Sequence, residues 1–199
     1  MVAQPSQPRY MSVDEWRELE QQSEIKHEYI DGQVYAMAGG TLAHSFVAVN
    51  ALTLLNRAFE DGPCRVYTSD AASRLSPTRY TYPDVVVTCD ERDHPTTKER
   101  EVQAPRVVIE VSSESTERYD RGRKFGYYRA CPTVQEYVLI NTEYQLVEVF
   151  RRTLKIWEYQ AYGPGDEIEL TSINVCLPVA ALYKQTDVPE TLDTSTSEV

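Results

Sequence analysis

Two short runs of β-branched residues constrain this chain more than any other feature in it. Asp84-Val-Val-Val-Thr and Arg106-Val-Val-Ile-Glu-Val-Ser carry apolar side chains at consecutive positions. A strand with one wet face alternates apolar with polar residues, so an unbroken run needs cover on both faces. Such strands belong inside a sheet with layers above and below, and the expected class is α/β or α+β. Each run also carries a carboxylate: Asp84 enters the first directly after Pro83, and Glu110 lies within the second. A buried carboxylate is costly without a partner or a cation. Each could point outward from a one-sided strand or pair with an arginine. If the two strands are neighbours, however, the carboxylates can converge on one hard cation such as Mg²⁺. Such an ion acidifies water and stabilises charge on a phosphoryl oxygen.

The flanking sequence supplies the covering layers. Ser12-Val-Asp-Glu15 is a capping box that opens a helix to Gln21. His27-Glu-Tyr-Ile-Asp-Gly-Gln-Val-Tyr-Ala-Met reads as a hairpin turning at Asp31-Gly32. Residues 41–59 repeat apolar side chains at helical spacing (Leu42, Phe46, Val49, Leu52, Leu55) until Gly62-Pro63. Arg65-Val-Tyr-Thr and Ala72-Ser-Arg-Leu read as short strands, and a charged loop spans 90–103. Ser115 or Thr116 is placed to cap a helix that runs to Arg129 before Pro132. Gln135-Glu-Tyr-Val-Leu-Ile, Leu146-Val-Glu-Val-Phe and Leu154-Lys-Ile-Trp-Glu-Tyr-Gln-Ala form a meander, and one helical turn follows Pro178. Residues 1–10 read as flexible, 11–184 as a single domain, and the Thr/Ser/Asp/Glu-rich 185–199 as a disordered tail.

The net charge of −11 argues against holding nucleic acid by broad phosphate neutralisation. It leaves room for an acidic metal site with a local basic rim. Arg118, Arg121, Arg123, Lys124 and Arg129 crowd one segment, and Arg151, Arg152 and Lys155 another; solvated faces are the plain alternative. No apolar run is long enough to span a bilayer, and residues 1–16 lack the pattern of a signal peptide. The cysteines (Cys64, Cys89, Cys131, Cys176) are far apart and form no C-x-x-C, as expected of reduced thiols in a cytoplasmic protein. There is no G-x-S-x-G, so a serine hydrolase built on Ser112 or Ser113 has little support.

An ordered set of short motifs adds to this. Tyr29-Ile-Asp-Gly, Ala38-Gly-Gly-Thr-Leu-Ala-His44, Tyr82-Pro-Asp84, Ile109-Glu110-Val-Ser112, Tyr119-Asp120-Arg-Gly and Lys124-Phe-Gly-Tyr-Tyr occur between residues 11 and 183. Together they resemble the Uma2 family (DUF820) of the PD-(D/E)XK nuclease superfamily. The resemblance implies a restriction-endonuclease-like core, a central mixed β-sheet flanked by helices. It also implies Mg²⁺- or Mn²⁺-dependent endonucleolytic hydrolysis of DNA. By position, Asp84 and Glu110 match the two acidic motifs, with the backbone carbonyl of Val111 as a further ligand. The superfamily's Glu-x-Lys would put lysine at position 112, where this chain has Ser112. In Uma2-like sequences the lysine is taken to have moved to the next helix, here Lys124. Glu28 either joins the site or faces solvent, and His44 either contacts phosphate or caps and packs its helix. Arg118, Arg121 and Arg123 would meet the DNA backbone. The competing reading is a catalytically degenerate binding module. The 14 tyrosines and the meander strands are compatible with a homodimer.

Overall fold

The computed structural model describes residues 10–37, 39–95, 98, 100–113 and 116–192. In chain order, α1 (Val13–Gln22) precedes the hairpin β1 (His27–Ile30) and β2 (Gln33–Ala36), and α2 (Leu42–Ala58) follows. Then come β3 (Arg65–Thr68), β4 (Ala72–Ser76), β5 (Arg79–Thr81), β6 (Val85–Thr88), β7 (Glu101–Val102) and β8 (Val107–Ser112). A helical segment combines α3 (Glu117–Tyr119), a π turn at Asp120–Lys124 and α4 (Phe125–Ala130). The remainder is β9 (Glu136–Asn141), β10 (Val147–Arg152), β11 (Trp157–Tyr162), β12 (Glu167–Leu170), β13 (Val175–Pro178) and α5 (Val179–Leu182).

The two apolar runs lie where their composition demands. β6 and β8 pair antiparallel inside a mixed sheet of order β11-β10-β9-β8-β6-β3, and every residue of both is buried. On one face Val85, Val87, Val107 and Ile109 meet Val47, Ala51 and Leu55 of α2. On the other, Val86 and Val108 meet Tyr128 of α4, along with Leu75 and Val102 from a second sheet, β2-β1-β5-β4-β7. β8 and β9 are parallel, so the chain must cross over between them, and the crossover carries α3 and α4 back across the sheet. This connection brings residues 117–130 over Glu110.

Local signals decide the hairpin and the helix starts. Asp31 and Gly32 both take positive φ, 50° and 91°, as a two-residue turn between right-twisted strands requires. The Ser12 hydroxyl accepts from Glu15 N–H at 3.2 Å, and Glu15 Oε2 accepts from Ser12 N–H at 2.7 Å. Thr41 caps α2 by accepting from His44 N–H at 3.2 Å.

Several expectations are corrected. Cys64 and Cys89 are bonded to each other, not reduced; Cys131 and Cys176 are free. The cause is register: Arg65 pairs with Thr88, so the next step out sets Cys64 opposite Cys89, with Cα atoms 4.0 Å apart. Thr116 makes no side-chain cap on α3; its hydroxyl instead accepts from Ser113 N–H at 3.1 Å, and Ser115 lies outside the described residues. Within the expected tail, Val188 is buried and Pro189 O accepts from Gln145 N–H at 2.8 Å. Residues 1–9 and 193–199 lie outside the described set. β5, β7, β12 and β13 extend the strand list beyond the sequence expectation. β5 and β7 are too short to show a period, and β12 and β13 alternate in burial. Among the described residues, no helix is long and apolar enough to cross a membrane.

The Cys64–Cys89 bond closes a loop of separation 25. Replacing both cysteines by serine is expected to lower unfolding free energy by about 3 kcal/mol in urea titrations. Dithiothreitol should lower the parent's stability by a similar amount and leave the double variant unchanged.

Candidate active site

The register of β6 and β8 pairs Val85 with Ile109, which places Asp84 opposite Glu110 at the next step. Asp84 sits at the strand mouth, where its Oδ2 accepts from Val111 N–H at 2.8 Å. Glu110 lies deeper, 4% exposed, beneath the crossover helix. From that helix Lys124, 7% exposed, brings its Nζ to 2.9 Å from Glu110 Oε1 and 3.3 Å from Glu28 Oε1. Tyr128 donates its hydroxyl to Glu110 Oε1 at 2.6 Å, and Tyr82 N–H donates to Glu28 Oε1 at 3.4 Å. Glu28 therefore does not face solvent. It reaches this cluster from β1 of the other sheet.

Asp120, Lys124 and Tyr128 recur every four residues and are all buried. The π turn over Asp120–Lys124 widens the helix there, and such bulges are frequent at functional sites. Sequence reasoning did not single out Asp120, although it lies in the Tyr119-Asp120-Arg-Gly motif. Its i,i+4 relation to Lys124 is the signal that could have identified it.

The electrostatics follow from burial. Burial is the main reason the Glu110 carboxyl rises to about 8; the negative charges of Asp84, Asp120 and Glu28 add to the rise, and Lys124 opposes it. For Lys124, burial alone would push the ammonium down, but Glu110, Glu28 and Asp120 more than reverse this, and the net direction is up. Asp120 is raised by burial against the pull of Lys124. We take the cluster as a shared arrangement in which Lys124 is the fixed positive charge.

His44 stands at the mouth. Its Nε2 is 3.3 Å from Asp84 Oδ2, and its ring also hydrogen-bonds the backbone of Val111. The hydrogen bond to Asp84 is the main reason the imidazole titrates above its ordinary value. The ring occupies space that Gly40 leaves open, since a Cβ on Gly40 would come within 2.7 Å of His44 Nδ1.

The remaining sequence candidates divide. Val111 contributes its backbone at the mouth. Ser112 is buried on β8, and its carbonyl accepts from the Thr142 hydroxyl at 3.0 Å. The lysine that reaches Glu110 comes from the helix, not from this position. Arg118 and Arg123 are exposed and have no acidic partner among the described residues. Arg121 is engaged within the protein: it donates to Glu148 Oε1 at 2.6 Å and to Glu117 Oε1 at 2.8 Å. Glu117, four residues earlier, is a partner the sequence shows, whereas Glu148 arrives from β10, distant along the chain.

Asp84, Glu110 and the Val111 carbonyl offer the hard oxygen donors that Mg²⁺ or Mn²⁺ takes. Among the described residues, no group of three or more His, Cys, Asp or Glu side chains is set to hold a metal ion. A cation on these donors would complete its shell with water and substrate oxygens, as Mg²⁺ commonly does.

A mixed sheet with a crossover helix over it, and carboxylates with a lysine at one end, is the layout of a restriction-endonuclease-like fold. The chain belongs to the Uma2 family, described as "Putative restriction endonuclease", which it matches over residues 13–180. It is similar to the uncharacterized protein slr1290 of Synechocystis sp., 37% identical over 176 residues, covering 87% of this chain and 92% of that one. A second Synechocystis protein, the uncharacterized sll1609, is 30% identical over 145 residues, covering 72% and 82%. A crystal structure from Anabaena variabilis, described as a putative nuclease belonging to DUF820, shares the fold. Its TM-score is 0.71 at 19% identity, over 87% of this chain and 97% of that one.

Lys124→Ala leaves two buried carboxylates without their cation. Above the Glu110 titration near 8, unfolding free energy is expected to fall by about 3 kcal/mol or more in urea titrations. The deficit should shrink as pH falls, because protonation removes the charges that Lys124 balances. Gly40→Ala should push the His44 ring off Asp84 and lower its titration toward the ordinary histidine range, read by NMR of the imidazole signals.

Proposed function

We propose that this protein is an endonuclease that hydrolyses DNA phosphodiester bonds with Mg²⁺ or Mn²⁺ held by Asp84, Glu110 and the Val111 carbonyl. The observation that supports this reading is the register that sets Asp84 opposite Glu110 across one strand pair, with Lys124 on the Glu110 carboxylate. The ion, when bound, supplies Lewis-acid stabilisation and an acidified water. The protein's own groups do the rest. Tyr128 and Lys124 hold Glu110 in one orientation, so its other oxygen faces a fixed direction. Lys124 carries positive charge at the site, where it offsets negative charge developing on the scissile phosphate. Glu28 holds the Lys124 amine from the second sheet. Arg118 and Arg123 on the same helical segment meet the phosphate backbone.

The catalytically degenerate reading has one observation in its favour. His44 already contacts Asp84 and the Val111 backbone, so the mouth is satisfied by the protein's own groups. Calorimetric titration with Mg²⁺ or Mn²⁺ separates the readings, because a working centre shows binding that needs both carboxylates.

The direct test is cleavage of supercoiled, linear and single-stranded DNA with each ion. Asp84→Ala and Glu110→Ala are expected to abolish metal-dependent cleavage, a loss of a hundredfold or more, with circular dichroism unchanged. Variants that cut as well as the parent would remove the assignment.

A further inference from the structure

One residue before each member of the buried Asp120, Lys124, Tyr128 series runs a second one: Tyr119, Arg123, Tyr127. A one-residue offset turns this stripe about 100° around the helix. Tyr119 and Tyr127 are half-buried, and Arg123 is exposed with no acidic partner among the described residues. Facing it is the sheet that supplies Glu28. The β1–β2 register sets Tyr35 opposite Glu28 and hence on the same face, with the residue 42% exposed. Arg79, paired with Ile30, belongs to that face as well, and its guanidinium lies 5.0 Å from the Tyr127 ring centre. Arg79 also pairs with Asp31 at 2.7 Å, so it braces Tyr127 and is not a free cation. Burial chiefly, and then Glu28, raise the Tyr119 hydroxyl; Lys124 opposes them, and Tyr127 and Tyr35 add to the rise. Tyr35 thus shares the sheet face from which Glu28 reaches Lys124, Tyr127 stacks on Arg79 of that face, and Tyr119 lies on the same helical stripe as Tyr127.

Charge decides what such an entrance suits. A duplex is gripped by neutralising a dense phosphate array. This chain has net charge −11, and Arg121 and Arg79 are already committed to carboxylates. An unpaired strand needs less cationic surface, because it also offers base faces that stack on aromatic rings. We propose that Tyr35, Tyr119, Tyr127 and Arg123 form a stacking platform for the bases of single-stranded DNA beside the Lys124 centre, which makes unpaired strands the preferred substrate class. The fate of the strand rests on the nucleolytic reading above; the binding does not.

The test is fluorescence anisotropy with the full chain in EDTA, so that cleavage is off, using labelled oligothymidylate and a duplex of equal length. Oligothymidylate is expected to bind more tightly than the duplex. Tyr35→Ala and Tyr127→Ala should each weaken it about tenfold, while Tyr35→Phe and Tyr127→Phe retain the parent's affinity. Arg123→Ala, at an exposed position that folding does not depend on, should weaken binding and flatten its salt dependence. Tighter duplex binding, no binding to either DNA, or alanine variants that match the parent would overturn the platform. Tyrosine-dependent binding without cleavage under any divalent ion sustains the platform and removes the nuclease reading. Metal-dependent cleavage with tyrosine-independent binding does the reverse.

Discussion

The Lys124 ammonium lies between Glu28 and Glu110, and the three groups are buried together where two sheets and a crossover helix meet. None of them is tolerable there alone. A buried charge costs several kcal/mol unless paired, and breaking such a pair costs about as much again. The arrangement therefore ties β1, β8 and the π turn to one another: displacing any of these elements strands a charge. Hydrogen bonds from Tyr128 and the Tyr82 backbone complete the carboxylates' needs. The centre is also a concentration of like charge: burial chiefly raises the Glu110 carboxyl to about 8, and Asp84, Asp120 and Glu28 add to the rise. Such a cluster is costly to stability and is characteristic of sites kept for chemistry.

What makes the cost tolerable is the packing beneath it. β6 and β8 are buried over their whole length, with α2 on one face and α4 plus the second sheet on the other. The polar groups collect at one end of this slab, where the apolar runs stop and Asp84 precedes β6. His44 closes the mouth from the first turn of α2, a position that the Thr41 cap and the missing side chain at Gly40 together allow. Chemistry and access thus share one edge of the fold, while the opposite end of β6 is held by the Cys64–Cys89 bond.

Much of the scaffold was legible in the chain, because its signals are local. The capping box at Ser12, the Asp31-Gly32 turn, the helical period over residues 41–59 and the β-branched runs each dictate conformation within a few residues. β5 and β7 were not legible, since two or three residues cannot display a period. The pairing of Arg121 with Glu148 was hidden because Glu148 is remote in sequence. The cysteines looked reduced because no short spacing links them; only the β3–β6 register does. Asp120 was hidden because its importance comes from facing Lys124 across a π turn.

The sequence by itself determined that two covered strands each carry a carboxylate, and its ordered motifs placed Asp84, Glu110 and Lys124 together as a family resemblance. Alternation and capping are properties of neighbours along the chain, so residue order suffices for them. Tertiary structure alone decided that Asp84 stands opposite Glu110, that Glu28 turns inward, and that His44 reaches the mouth. It also decided that Arg121 pairs with Glu148 while Arg123, among the described residues, has no acidic partner. Those outcomes depend on strand register and on how the crossover helix lies over the sheet, and both are set by packing between segments far apart in the chain.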